Sequence, residues 1–335
     1  MVSIVKRVPV VALLSFACAA ALSSGCDKEE VAEETAPVDI VGIMELPVSL
    51  RNSDSAPTDF HRIEISQTEL RVNGESVMTL AGGKTATTER TGDVLTKLKD
   101  KLATPARNMI AVELYAGTPY ATVALVLSSA ATARIRNVAF KVRKPGGTSE
   151  TGWLVLNGFH TVSAGTDATF ENVATRPWSD FVNAWEAVEG ACRGAMSGNC
   201  AYKADKIAEG GQLLIALHSS GDGININFKQ VGAPVVEAAP APAKVQMLEG
   251  VPTDPVAEAE QAPPATSAAF QFRANEAQKT PSAVTETIKP VCGTSACGAL
   301  IQADAVTLST KVLALTGAAF PDGTPAPSLA FEIPL

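Results

Sequence analysis

Histidine is scarce in this chain, three residues in 335, and aromatic side chains make up only 5%. Acid–base catalysis and metal ligation draw on histidine first, so little material exists for either. Basic charge is also short: 27 Lys and Arg stand against 35 Asp and Glu, a formal net charge of −8. A phosphate-binding face needs the opposite sign, which argues against a nucleic-acid partner. Only one long apolar run exists, at the extreme N-terminus, and this excludes a polytopic membrane protein. Motifs for chemistry are missing too. No Gly-x-Ser-x-Gly elbow occurs. Gly83-Lys84-Thr85 resembles the end of a phosphate loop, but the upstream glycine is replaced by Met78. His61, His160 and His218 have no metal-ligand spacing, and each is expected at the surface or a strand edge. No catalytic residue, metal site or cofactor is expected.

What is present begins with an address. Lys6 and Arg7 precede an apolar stretch, Val8 to Leu22, of 15 residues. A spanning helix needs about 20, so the stretch fits the core of a secretory signal. It stops at Leu22-Ser23-Ser24-Gly25-Cys26, and Asp27, Lys28, Glu29 and Glu30 follow at once. This resembles the lipobox of bacterial lipoproteins, where small residues fill the peptidase pocket and the cysteine thiol then carries diacylglycerol. One position departs from that pattern: Ser23 stands three before the cysteine, and the aliphatic Leu22 lies one further back. Cys18 is a poorer acceptor, because Phe16 precedes it by two and cleavage there would cut the apolar run short. The resemblance implies a lipoprotein signal peptide over 1–25 and lipid attachment, palmitate included, at Cys26. The chain would then face the periplasm from a bacterial membrane, inner or outer. An ordinary cleaved signal ahead of a free thiol is the alternative.

Removing residues 1–25 takes away two positive charges and leaves −10. Residues 26–40 form an acidic tether, with six acids against Lys28 alone; self-repulsion keeps it extended, up to about 50 Å. Four stretches follow: a first α+β block over 41–146, a second over 147–232, a Pro/Ala-rich linker over 233–268 and a C-terminal block over 269–335. The linker holds seven of the 21 prolines, which favours stiff, extended chain.

In the first block Glu69–Val72 and Glu75–Met78 flank Asn73-Gly74, a two-residue hairpin loop. That register sets Leu70 opposite Val77 and Val72 opposite Glu75. A helix is expected from about Asp93, its cap, with Val94, Leu95, Leu98 and Leu102 on one stripe, and Pro105 ends it. Met109–Tyr115 reads as a strand, Tyr120–Ala133 as a buried helix and Asn137–Arg143 as a strand. The order is β-β-α-β-α-β, a small α+β fold.

That order, with Ile110-Ala111-Val112-Glu113-Leu114 feeding Thr118-Pro119-Tyr120-Ala121-Thr122-Val123, resembles the periplasmic domain of the TolR/ExbD biopolymer-transport family over roughly 60–145. The family's transmembrane helix, whose acid uses the proton gradient, has no counterpart: Val8 to Leu22 contains no acid. The resemblance therefore implies an envelope-facing fold and a tendency to associate, without energy transduction.

A partial repeat links the first and C-terminal blocks. Val123 through Ala131 aligns without gaps on Val312 through Phe320, and Val138–Val142 matches Leu329–Ile333 after a two-residue shift. In the second block a helix is expected after Pro177, capped by Ser179. Trp178 and Trp185 share a face of it, for core packing or for ligand stacking. A hairpin is expected over 213–228, and Phe270 and Phe272 would supply a further strand. The C-terminal block is expected to dock on 147–232, by sharing its sheet or covering its apolar face.

Cys192 and Cys200, and Cys292 and Cys297, are local pairs in a chain that leaves the cytoplasm, so two disulfides are expected. Zinc fits less well, because neither loop holds a histidine or a Cys-x-x-Cys spacing. The function expected is that of a non-catalytic envelope lipoprotein. It would bind an envelope protein or peptidoglycan without catalysing a reaction, as an accessory to TolR/ExbD-type transport or envelope integrity. An envelope hydrolase with an unrecognised active site is the alternative.

Overall fold

Alternation of inward and outward side chains sets the first elements. A computed structural model describes residues 46–146, 149–164, 176–195, 210–220, 223–231, 267–273, 281–293 and 295–334. Among them the fold is mixed α+β. The signal, Cys26 and the acidic tether lie outside the described residues. Strand β1 (Phe60–Ile65) buries His61, Ile63 and Ile65 and leaves Arg62 and Glu64 outward. It is an addition to the expected order, hidden in sequence because a histidine and two charges interrupt its apolar pattern. Strands β2 (Glu69–Val72) and β3 (Glu75–Thr79) close on Asn73 and Gly74. Their φ values of 53° and 86° suit the two-residue turn. Val72 faces Glu75, but a bulge at Leu70/Arg71 sets Leu70 opposite Met78 rather than Val77. The extra residue turns Leu70 and Met78 into the core together.

A short pair, β4 (Arg90–Thr91) and β5 (Val94–Leu95), precedes helix α1 (Thr96–Leu102). Asp93 lies in the turn of that pair and does not cap the helix; its carboxylate accepts the Ser163 hydroxyl instead. Leu95, Leu98 and Leu102 form the buried stripe. Strand β6 (Met109–Leu114), helix α2 (Tyr120–Thr132), and strands β7 (Asn137–Arg143) and β8 (Thr151–Asn157) complete a sheet of order β3-β2-β1-β6-β7-β8. The boundary expected at 146/147 thus falls inside this sheet. The short 144–150 connection can only return the chain antiparallel onto β7.

Strand β9 (His160–Ser163) leaves for a second sheet. Strand β10 (Arg176–Pro177) leads into α3 (Trp178–Ala195). Because Pro177 is held opposite Gln212, the helix starts at Trp178, and Ser179 lies inside it instead of capping it. There follow β11 (Gln212–Ser220), β12 (Gly223–Val231), β13 (Ser267–Arg273), α4 (Pro281–Cys292), β14 (Gly298–Ala303), α5 (Ser309–Ala319) and β15 (Ser328–Ile333). Their sheet runs β13-β12-β11-β14-β15-β9. The C-terminal strands therefore share a sheet with the 212–231 hairpin. Residues 232–266, most of the expected linker, lie outside the described residues. The strands that flank them are antiparallel neighbours, Lys229 opposite Ser267.

The two sheets repeat one plan. In each, an antiparallel three-strand meander is followed by a helix, a parallel strand, a second helix and a parallel strand. Register extends the match: Met109 pairs with Asn137 as Gly298 pairs with Ser328. The repeat read from sequence as strand–helix–strand thus spans the whole unit. The halves meet reciprocally. The Tyr120 N–H donates to the Thr307 carbonyl (2.7 Å), and the Ser309 N–H donates to the Thr118 carbonyl (2.9 Å). Pro119 bridges Leu308 between them. Tyr120 and Ser309 hold the same place at the start of α2 and α5, so this junction is a pseudo-two-fold axis.

Helix α2 is buried on almost every side because it lies against α1 and β5 of its own half and β15 and β9 of the other. On the other side of the core Phe181 sits 4.7 Å from Trp178, 5.6 Å from Trp185 and 4.9 Å from Phe228, ring centre to ring centre. The two tryptophans therefore pack the core. Before β1, residues 46–53 strap the halves together: Ser53 pairs with Trp153 and Val48 with Arg143. The Asn52 N–H donates to the Asp322 carboxylate at 3.1 Å. A Cβ at Gly317 would lie 2.0 Å from Ser49 Oγ, so only glycine admits the strap this closely.

Candidate functional site

Charge along β1, β6 and β7 falls on one face of the first sheet. Arg62 Nη2 lies 2.8 Å from Glu64 Oε1 and 3.4 Å from Glu113 Oε1, and Lys141 Nζ reaches Glu113 Oε2 at 3.4 Å. Glu113 is nearly buried between the two cations, which offset its desolvation. Arg71, opposite Glu64, binds Glu69 at 2.6 Å, and half-buried Trp153 stands opposite Lys141. The contacts of the helices place them on the opposite, core-facing side. This is a face of mixed charge with one aromatic, suited to a polar partner surface. Sequence reading passed over it, although the alternate polar positions of Phe60–Ile65, Met109–Leu114 and Asn137–Arg143 carry the signal.

The equivalent face of the second sheet differs. Gln302 takes the place of Glu113 and donates to Glu332 Oε2 at 2.7 Å. Leu214, Ala216, Leu300 and Ala330 form a small apolar cluster beside it. His218 Nε2 lies 3.4 Å from Asp304 Oδ1 near the end of β11.

The cysteines expected to pair are placed in part. Cys292 and Cys297 form a disulfide with Cα atoms 5.6 Å apart, within the expected range. Cys192 is disulfide-bonded as well; Cys200 lies outside the described residues. Beside the Cys292–Cys297 bridge, Thr285, Lys289, Phe320 and Pro325 line a cavity of about 10 Å³, room for one water. Among the described residues, no group of three or more metal-ligating side chains occurs. No described helix is long and apolar enough to cross a membrane.

The histidines are not brought together. His61 is fully buried, a correction to its expected surface position: β1 is flanked by β2 and β6, and its inward row needs a side chain there. Its Nε2 meets the Pro105 carbonyl at 3.0 Å and its Nδ1 meets Asn73 Nδ2 at 3.2 Å. Nε2 thus donates and Nδ1 accepts, which fixes the neutral ring. Burial holds the His61 pKa below its ordinary value, and Arg107 lowers it further. Burial, then the charge of Arg136, likewise lowers His160. Both groups therefore bind protons more readily when unfolded. Stability should be full above about pH 6.5 and fall as the pH drops through that value toward the folded pKa. Thermal unfolding from pH 7.5 to 5 should show this loss. His61→Gln should shrink the slope, leaving the part due to His160, and an unchanged slope would refute the assignment.

Neither family models, nor curated proteins, nor solved structures give a match to this chain.

Proposed function

We propose that the chain is a lipid-anchored protein of a bacterial cell envelope that faces the periplasm and acts by binding rather than catalysis. The observation that carries this is the stop of the apolar run at Leu22-Ser23-Ser24-Gly25-Cys26, followed immediately by an acidic tether. The Cys292–Cys297 disulfide fits an oxidising compartment. The sequence resemblance to the TolR/ExbD periplasmic domain supports an accessory role in transport or envelope integrity, and the β-β-β-α-β-α-β plan of the two halves adds one strand to the order on which that resemblance rests. Partner contact falls on the mixed-charge face of the first sheet. An envelope protein or peptidoglycan, both polar and charged, suits its alternating ion pairs.

The test is photo-cross-linking of the mature chain in intact envelopes, together with sedimentation on purified peptidoglycan. Glu64→Ala with Arg71→Ala removes outer charges and leaves the Arg62–Glu113–Lys141 group intact. It should weaken capture by about tenfold, or 1.4 kcal/mol, while Lys97→Ala on α1 should not. Capture by neither route, or capture indifferent to the double substitution, would refute this reading of the face.

A further inference from the structure

His61 and Arg62 are adjacent on β1 and serve opposite sides of the first sheet. The ring is buried in the core, and the guanidinium lies on the mixed-charge face, 2.8 Å from Glu64 and 3.4 Å from Glu113. Asn73 ties the two residues together. Its Nδ2 donates to His61 Nδ1 at 3.2 Å, and its Oδ1 accepts the Arg62 backbone N–H at 2.9 Å. Its own N–H donates to the Arg62 carbonyl at 2.8 Å. The turn between β2 and β3, which holds Asn73 at a φ of 53°, is thus clasped to β1 by three hydrogen bonds.

Neutral His61 donates from Nε2 to the Pro105 carbonyl, which leaves Nδ1 as the acceptor for the Asn73 amide. A second proton turns Nδ1 into a donor, and two donors then face each other. Turning the Asn73 amide over would offer its oxygen to the ring, but would set Nδ2 against the Arg62 N–H. One bond of the clasp is lost in either orientation, and the fully buried ring has no solvent to replace it. The groups around the ring come from every side. Asp59 and Arg107 are the charges that act on it, and α1 and the turn after it present the Leu102 and Pro105 carbonyls. From β2 the Asn73 amide faces it, and on β6 its neighbour in register is Ile110. Lys101 of α1 and Glu75 of β3 pair with each other. Burial is the largest influence and opposes the second proton, as does Arg107, whereas the two carbonyls and Asp59 favour it. The balance keeps the ring neutral until the medium is mildly acid.

We infer that His61 is an acid-sensitive latch on the partner face: a proton on its ring opens the Asn73 clasp, frees the β2–β3 turn and loosens the backbone that holds Arg62 against Glu64 and Glu113. The effect on partner binding rests on the function proposed for that face; the opening of the clasp does not.

Asn73→Asp is the deciding variant. A carboxylate accepts from the charged ring and from the Arg62 N–H at once, and Asp-Gly suits the same turn, so its clasp should hold in acid. Amide hydrogen exchange of the full chain, followed by NMR from pH 7.5 to 5 beside the titration of the His61 ring, reads the clasp directly. In the wild type the protection factors of the Arg62 and Asn73 amides should fall by about fivefold or more in step with the ring, while that of Phe140 in β7 holds. In Asn73→Asp the ring should take its proton at higher pH and the protection should persist. His61→Gln, which has no ring to charge, should also keep its protection and serves if the first variant does not fold. Protection that ignores the ring in the wild type, or that falls equally in the variants, would overturn the inference. Sedimentation on purified peptidoglycan at pH 7.5 and 5.5 then reads the face, with a similar loss expected in acid for the wild type and none for Asn73→Asp. Equal binding at both pH values in the wild type would overturn the link from latch to face. Binding at neither pH would tell against the face itself, and the exchange data would still decide the clasp.

Discussion

Tyr120→Ala should cost about 3–5 kcal/mol, the range for removing a large buried aromatic, and so a large part of a stability that is only about 5–15 kcal/mol for most proteins. Tyr120 is 1% exposed and starts the helix that both halves share. Its hydroxyl crosses the junction to donate to the Glu332 carbonyl at 2.7 Å and approaches the Ile301 carbonyl at 3.2 Å. Burial, then the negative charge of Glu332, holds its pKa far above the ordinary phenol value, so it stays a donor at every accessible pH. Tyr120→Phe should keep the packing and lose only the hydrogen bond, about 1–3 kcal/mol with an acceptor left in the core. The pseudo-symmetric site gives the control. Ser309 Oγ is buried without a hydrogen-bond partner, so Ser309→Ala should be neutral within about 0.5 kcal/mol or slightly stabilising. Urea unfolding of the three variants checks the set. Equal losses at the two positions would contradict the asymmetric junction.

Sequence was a good guide wherever the determining interactions are local. Asn73-Gly74 specifies its turn whatever surrounds it, and Leu95, Leu98 and Leu102 carry their own helical period. The 292/297 pair was legible for the same reason: five residues of separation bring the two thiols together in almost any loop. Legibility failed where the determinant is non-local. Strand β1 has a buried histidine in its inward row, a choice that Pro105 and Asn73 justify only after folding. The bulge at Leu70/Arg71 answers to α1 above it, which no count along the hairpin reveals. Asp93 reads as a helix cap, but the β4–β5 turn carries it to Ser163, 70 residues away.

The junction between the halves is the least legible feature, because backbone groups make its reciprocal bonds. Thr118-Pro119-Tyr120 and Thr307-Leu308-Ser309 share only the threonine, yet their amides and carbonyls exchange in the same way. The candidate face was hidden for another reason. Arg62, Glu113 and Lys141 are distant in sequence and have no motif spacing; parallel pairing of β1, β6 and β7 alone sets them side by side.

Cys26 decides whether the chain is lipid-anchored as proposed. Cells grown with a clickable palmitate analogue should label the wild-type chain and Cys18→Ala equally. Cys26→Ala should lose the label entirely. Label that persists in Cys26→Ala would contradict the lipoprotein reading.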